Sequence, residues 1–385
     1  MDKELSLNEL RQEIDSIDRE LVELFKKRMR VAAGVAQYKK NAGLPVLDAA
    51  RERSLLTKVS DLAGEEFSSY TRVLYSTLMS LSRSYQHKLM NEDEALISQI
   101  NEAIENTPKL FPEKARVACQ GVEGAYSQIA AEKIFSLPDI KYYRSFDAVF
   151  EAIENGECQY GVLPIENSTA GSVTKIFDLI LKHKFYIVRS HRLKIDHNLL
   201  ALPGAKTEDI KEIFSHEQAI NQCSEFLKAH PDIKVTPCAN TAVAAQMVAQ
   251  SGRIDLAALS SRHCASLYGL QKLVDGVQNT DNNHTRFICI SKNLEIYPGA
   301  EKTTVMAITE NRPGSLYSLL SHCFSQGINL SKLESRPLPD RDFEFMFYFD
   351  LEAPVYSPRL QNLLSELENQ CEDFRYLGSF SEFIS

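Results

Sequence analysis

Two groups of residues have the types and spacings that chemistry needs. The first lies on an amphipathic segment near the N-terminus. Apolar residues recur there at Leu7, Leu10, Ile14, Ile17, Leu21, Leu24, Val31, Val35 and Tyr38, and Arg28 occupies the place where the next is due. A charge on such a seam costs stability unless something pairs with it. Lys39 follows eleven residues later, close to three turns at about 3.6 residues per turn, so both cations share a face and can converge on one anion. Arg11 precedes Arg28 by seventeen residues, which is about 25 Å along a helix axis. That is too far to share a small ligand within one chain, so Arg11 is expected to serve the pocket of a partner copy. Asp48, Arg51 and Glu52 open a second helical pattern. Ser82 and Gln86 sit four apart on one face of a third. Taken singly, Arg11, Lys39 and Arg51 read as solvated surface charges, and only the seam position sets Arg28 apart.

The second group lies farther along. Val117-Ala118-Cys119 runs into Gly121-x-x-Gly124-x-Tyr126-Ser127 and a helical pattern from Gln128, a glycine loop at a helix start that can hold an anion on backbone N–H groups. It lacks the Gly-Lys-Ser/Thr of a phosphate loop and the triple glycine of a dinucleotide fold. Tyr160 to Pro164 reads as a buried strand entering Ile165-Glu166-Asn167-Ser168. Ser215-His216-x-Gln218-Ala219 and Asn240-Thr241 open helices, and Asn283-x-Thr285-Arg286-Phe287 leads a further strand. Polar residues thus gather where strands end and helices begin, the place at which open α/β sheets bind ligands. One at a time, Asn167, Ser168 and Thr241 are turn residues or caps; together they outnumber what capping requires.

The elements that must position these groups follow from pattern and length. Ser6-x-x-Glu9 has the form of a capping box, and Asn41-Ala42-Gly43-Leu44-Pro45 is a stop signal. A helix from residue 7 to about 40 is about 50 Å long, more than a core built from residues 1–90 can cover. Two further helices are predicted, one from Asp48 to near Gly64 and one from Phe67 to about Ile104, in a bundle completed by a second copy. After Thr107-Pro108 short β-rich runs alternate with helical ones. From Thr303 onward the order is βαββαβ, a ferredoxin-like arrangement.

At 385 residues the chain calls for two to four domains. Its 44% hydrophobic and 25% charged residues exclude disorder and fibrous architecture. The eight cysteines are scattered without Cys-x-x-Cys spacing, so neither a zinc site nor a disulfide framework is expected. No apolar run reaches spanning length, and Met1-Asp2-Lys3-Glu4 starts no signal peptide. The expectation is a cytoplasmic protein. The net charge of −9 falls after residue 90, since residues 1–90 carry 15 basic and 13 acidic side chains; nucleic acid is a poor partner for such a chain.

The N-terminal constellation resembles the all-helical chorismate mutases, whose dimeric pocket is lined by cations of both chains and a Ser/Gln pair. The resemblance implies that Lys39 and Gln86 face the ether oxygen, Arg28 and a partner's Arg11 the carboxylates, and Asp48, Arg51 and Glu52 the hydroxyl side, with Ser82 beside Gln86. Residues 114–292 resemble prephenate dehydratase, a fold of two α/β lobes with a cleft, as in periplasmic binding proteins. That resemblance implies Thr285 as the acid, with Glu166, Asn167, Ser168 and Arg286 binding substrate. The C-terminal segment, with Gly314-Ser315-Leu316 and Glu334-Ser335-Arg336-Pro337, is similar to the ACT amino-acid-sensing domain and implies a phenylalanine site. Domains are therefore expected at 1–92, 114–292 and 300–380. Substrates would be chorismate and prephenate, the effector L-phenylalanine, and the assembly a homodimer or larger homo-oligomer, with neither cofactor nor metal. Removal of residues 300–385 is expected to leave an active enzyme that phenylalanine no longer restrains. The rival expectation is a non-enzymatic sensor with binding-protein-like lobes and a helical dimerisation stalk.

Overall fold

The computed structural model describes residues 6–90, 95–311, 313–338 and 345–385. Residues 1–5, on which the absence of a signal peptide was read, lie outside them. Helix α1 (Leu7–Ala42) starts at the expected box, in which Ser6 Oγ accepts from Glu9 N and Glu9 accepts from Ser6 N. It stops at Gly43, whose φ of 61° turns its N–H back onto the Lys39 and Lys40 carbonyls. Helix α2 (Ala49–Met90) is opened by Asp48, whose carboxylate accepts from Arg51 N at 2.9 Å. The expected end near Gly64 is borne out: at φ 69° and ψ 172° Gly64 leaves helical geometry, and α2 is two helices that meet at this kink. The third helix, expected to run on to Ile104, is divided. Residues 91–94 lie outside the described residues, and α3 (Ala95–Asn106) buries Leu96, Ile100 and Ala103 in the core of the C-terminal domain.

Only the C-terminal half of α1 packs on α2, burying Ala32 and Ala36. Every residue from Leu7 to Lys27 is exposed, the apolar seam included. Ile14 is 56% and Leu21 53% exposed.

The middle segment runs β1 (Lys114–Gln120), α4 (Tyr126–Ile134), β2 (Leu137–Tyr143), α5 (Phe146–Glu154), β3 (Tyr160–Asn167), β4 (Gly171–Ser172), α6 (Thr174–His183) and β5 (Tyr186–Lys194). It crosses to β6 (Asn198–Ala201), β7 (Glu212–Ser215), α7 (Glu217–Gln222), α8 (Ser224–Lys228), β8 (Lys234–Pro237), α9 (Thr241–Ser251), β9 (Leu256–Ser260), α10 (Arg262–Tyr268) and β10 (Gln271–Val274). It returns in β11 (His284–Ser291). Strands β10, β6, β9, β7 and β8 form one sheet; β2, β1, β3, β11 and β5 belong to the other. These are the two expected lobes, joined where the chain crosses twice. Strand β11 lies antiparallel to β3 with Thr285 opposite Asn167 and Arg286 opposite Glu166. Successive side chains alternate between faces of a sheet, so Thr285 and Asn167 share one face while Arg286 and Glu166 share the other.

The C-terminal segment folds as β12 (Lys302–Ile308), α11 (Ser315–Ser325), β13 (Asn329–Pro337), β14 (Phe345–Glu352), α12 (Pro358–Gln370) and β15 (Asp373–Phe380), with sheet order β13, β14, β12, β15. This is the expected βαββαβ order. Phe343, expected to begin a strand, lies outside the described residues. A last strand, β16 (Glu382–Ile384), was not foreseen. It adds in parallel to β5 and so belongs to the dehydratase-like sheet. Gly378 presses on the same strand so closely that a Cβ would collide with the Ile187 carbonyl. Met306, Ile308, Tyr348, Leu377 and Phe380 lie in one core with Leu163, Ile165 and Ile288 of the large lobe. Removal of residues 300–385 would bare the back of that sheet. Among the described residues no helix is long and apolar enough to cross a membrane, and no three or more metal-ligating side chains cluster.

Candidate functional site

A cavity of about 430 Å³ lies between the two lobes. The large lobe contributes Asn167 and Thr285 from adjacent strands, and Tyr126 and Ser127 from the start of α4; the small lobe contributes His216, Gln218, Gln222 and Thr241. No side chain caps α4, so its first N–H groups are available to an anion in the cleft. Gly121 and Gly124, at φ 113° and 91°, form the loop that delivers this helix end. A Cβ on Gly124 would press on Cys264 and Leu267 of the other lobe at 3.0 Å.

The hydrogen bonds around Thr285 make its oxygen an acceptor toward Asn167. Asn167 Oδ1 accepts from Thr169 N at 3.0 Å, Thr169 Oγ1 at 2.7 Å and Ala170 N at 2.9 Å. Its amide nitrogen must therefore donate, and does so to Asn283 Oδ1 and to Thr285 Oγ1, both at 2.9 Å. The threonine oxygen accepts, which leaves its O–H free to donate into the cleft. Gln222 steadies the far side: its Oε1 lies 3.0 Å from Asn283 Nδ2 and 2.9 Å from His197 Nε2. Burial pushes the His197 pKa down, so the ring is neutral near pH 7 and carries its proton on Nε2. Neither Gln222 nor His197 figured in the sequence reading. Gln222 lies one turn after Gln218 on the same helix, the signal that could have flagged it.

Three residues expected at this site are elsewhere. Arg286, Glu166 and Ser168 line a separate cavity behind the sheet, with Lys332 and Asp350 of the C-terminal domain. The cause is strand alternation. Thr285 faces the cleft, so its neighbour Arg286 cannot, and the same holds for Glu166 beside Asn167. Arg286 is buried against Asp350, with Glu166 and Glu382 near it. Burial works against its charge, but those carboxylates raise its pKa. Ser168 Oγ instead accepts from His284 N and donates to Asn282 O, both at 3.0 Å.

Several of the helical residues meet where α1 packs on α2. Arg28 donates to Ser82 Oγ and, at 3.2 Å, to Leu78 O. Lys39 donates to Val46 O, and Glu52 pairs with Arg83, a cation the sequence reading left out. Gln86 is buried, its Nε2 on Ser82 O and its Oε1 without a partner. The Ser82/Gln86 register faces α1, whereas Ser84 turns to Glu366 of α12. Arg51 is exposed, and Arg11 lies on the bare stretch of α1. In the C-terminal domain, Gly314 takes φ 91° at the start of α11, followed by Ser315 and Leu316. Glu334 accepts from Ser172 Oγ at 2.7 Å and Arg336 pairs with Asp178 at 3.0 Å, so this strand also grips the large lobe. Ser335 and Pro337, between and after them, are exposed.

Comparison with known proteins matches residues 10–87 to the family described as chorismate mutase type II and residues 117–295 to prephenate dehydratase. The chain is 31% identical to the bifunctional chorismate mutase/prephenate dehydratase of Escherichia coli strain K12, over 99% of this chain and 97% of that one. It is 37% identical to arogenate dehydratase/prephenate dehydratase 1 of Arabidopsis thaliana, over 69% of this chain and 72% of that protein. Among solved structures, the prephenate dehydratase of Arthrobacter aurescens in complex with L-Phe is 28% identical and superposes with a TM-score of 0.63, covering 69% of this chain and 90% of that one. A match to both catalytic families along nearly the whole chain sets aside the reading as a sensor without catalysis. The chain belongs to the bifunctional chorismate mutase/prephenate dehydratase family, an isomerase and a lyase in one polypeptide that turns chorismate into prephenate and prephenate into phenylpyruvate.

Proposed function

We propose that the two reactions run at the two sites described, with residues 1–92, 114–292 and 300–380 as mutase, dehydratase and ACT-type sensor domains. The first is a pericyclic rearrangement that needs no nucleophile, only anchors for a dianion and charge where its ether oxygen turns negative. Lys39 and Gln86 supply that charge and hydrogen bond. Arg28 and Arg11 of the partner subunit hold the carboxylates, while Asp48, Glu52 and Arg51 bind or support the hydroxyl side. The partner is a second copy of this chain, because nothing among the described residues covers the exposed seam of α1.

In the second reaction the ring carboxylate of prephenate leaves as carbon dioxide. Its electron pair completes the aromatic ring, and the ring hydroxyl departs as water with a proton from Thr285 Oγ1. Carboxylates are held by the N–H groups at the start of α4, since Arg286 faces away. The Asn167 amide that donates to Thr285, and so leaves its O–H free to donate into the cleft, carries this reading. Loss of chorismate absorbance followed by appearance of phenylpyruvate tests it. Thr285→Ala should stop only the second signal, and a normal phenylpyruvate rate in that variant would refute the assignment.

L-Phenylalanine is sensed at Gly314 to Leu316 and Glu334 to Pro337. Ile308 and Arg336 both lie opposite Met346, so the loop leading to Gly314 and the end of β13 leave the sheet at one edge. The L-Phe complex of the Arthrobacter relative supports this effector.

A further inference from the structure

Strands β3 and β11 each carry one cleft residue and, next to it, one ion on the opposite face, buried in the case of Arg286 and half-buried in the case of Glu166. Beside Thr285, Arg286 is 7% exposed and its Nη1 lies 2.5 Å from Asp350 of β14. Asp350 is 2% exposed and also accepts from Thr304 Oγ1 of β12 at 2.6 Å. Beside Asn167, Glu166 is 3.1 Å from Lys332 Nζ of β13, and Arg286 and Glu166 approach each other at 3.5 Å. Both partners of the Asn167 to Thr285 hydrogen bond are therefore flanked by side chains anchored in another domain. The ladder between these strands is irregular there: its register shifts between Arg286 and Phe287, so this end of β11 is held to β3 by fewer regular bonds. Apolar residues would fill such a seam with less desolvation, and a buried ionic pair is better suited to fixing a register than to adding stability.

We infer that Asp350 and Lys332, from the C-terminal domain, are positioning residues for the dehydratase step. Asp350 acts through Arg286 and Lys332 through Glu166, and together they set the register in which Asn167 meets Thr285. The sensor sheet thereby holds the dehydratase acid in place, and a shift of β13 or β14 is transmitted to the cleft without touching substrate. This rests on the reading of Thr285 as proton donor.

The test uses the full-length protein, with mutase turnover in the same preparation as the control for folding. Asp350→Asn keeps an acceptor for Thr304 and removes the charge. Arg286→Met with Asp350→Leu removes the pair and leaves no orphaned ion. Both should lower kcat for prephenate about 10-fold or more, since misplacement by about 1 Å can cost about 10²-fold, with KM changed less than about 2-fold. Asp350→Glu should recover part of the loss, and Lys332→Gln should show a smaller one. In a Thr285→Ala background, Asp350→Asn should cost little further, because the group it positions is gone. Wild-type kcat in folded Asp350→Asn and in the folded double variant, with Thr285→Ala inactive, overturns the inference and leaves the proton-donor reading standing. Normal turnover by Thr285→Ala removes that reading and the inference with it. Should Asp350→Asn fail to fold, the double variant decides alone.

Discussion

The cleft is lined by residues of one chain, whereas the helical site as proposed draws on a second copy. Around the cleft, Asn167, Asn283 and Thr285 are all less than a tenth exposed, and each has its orientation fixed by neighbours from the same polypeptide. In the helical domain the cations stand on a rod that covers only its own C-terminal half, and Leu7, Leu24 and Val31 are each more than 60% exposed. Folding alone orders the first site. If the second draws on a partner as proposed, it needs association as well, and its activity should depend on protein concentration while that of the first should not.

The largest expected effect breaks the comparison at the cleft. Thr285→Ala should lower dehydratase turnover by about 10²-fold to 10⁴-fold, the range for a positioned proton donor, with little change in prephenate binding, since such a group acts mainly in the transition state. Thr285→Ser should keep part of the rate. Steady-state kinetics on supplied prephenate checks both, and mutase activity should not move. Next comes the helical site: Arg28→Ala and Lys39→Ala should each reduce chorismate turnover by about 10²-fold, with phenylpyruvate formation from prephenate unaffected. Parallel loss of both activities in a folded variant would mean that the sites are not separate.

The same contrast explains what could be read in advance. The long helix was legible because its 3.6-residue apolar period runs for ten turns between a capping box and a glycine stop. The break at Gly64 was legible too, because glycine takes a positive φ at little cost between two segments that each favour a helix. Thr285, Arg286 and Phe287 were read as a block, although a strand must send Thr285 and Arg286 to opposite faces. The run Phe345 to Glu352, apolar except for Asp350 and the end residue, already hinted at a buried acid in need of a cation. Strand β16, with three residues, is too short to show any period, and Gln222 is one amide among many until the fold brings His197 and Asn283 to it.

Sharpening the comparison requires subunits that can be mixed. If Arg11 reaches into the pocket of a partner, inactive Arg11→Ala and inactive Arg28→Ala proteins should regain mutase activity on subunit exchange, because each hybrid dimer contains one intact pocket. Recovery should approach about half the wild-type activity per hybrid if each dimer holds two independent pockets. Dilution of the wild type should lower specific mutase activity before dehydratase activity. Verified exchange with no recovery would mean that a single chain supplies both arginines of a pocket, which the length of α1 opposes.

The smallest expected effect concerns the effector. An effector can act only through its difference in affinity for two global states, commonly a coupling of about 1–3 kcal/mol, or about 5-fold to 150-fold in apparent affinity. Gly314 takes a positive φ that bulky residues rarely adopt, and no atom within 4 Å would meet its Cβ. Gly314→Leu should therefore strain the loop and block backbone approach to the effector without disturbing the core. Basal rates in both reactions should stay within about 2-fold, while the phenylalanine concentration for half inhibition should rise by at least the lower end of that range. Titration of both activities with phenylalanine reads this directly. Truncation at residue 300 is a less selective instrument, since β15 and β16 pack on β5 and their loss bares the back of the sheet that carries the cleft. Undiminished inhibition in folded Gly314→Leu would locate the sensor elsewhere, and the cleft itself, already shaped for a phenylpyruvate precursor, would be the next place to look.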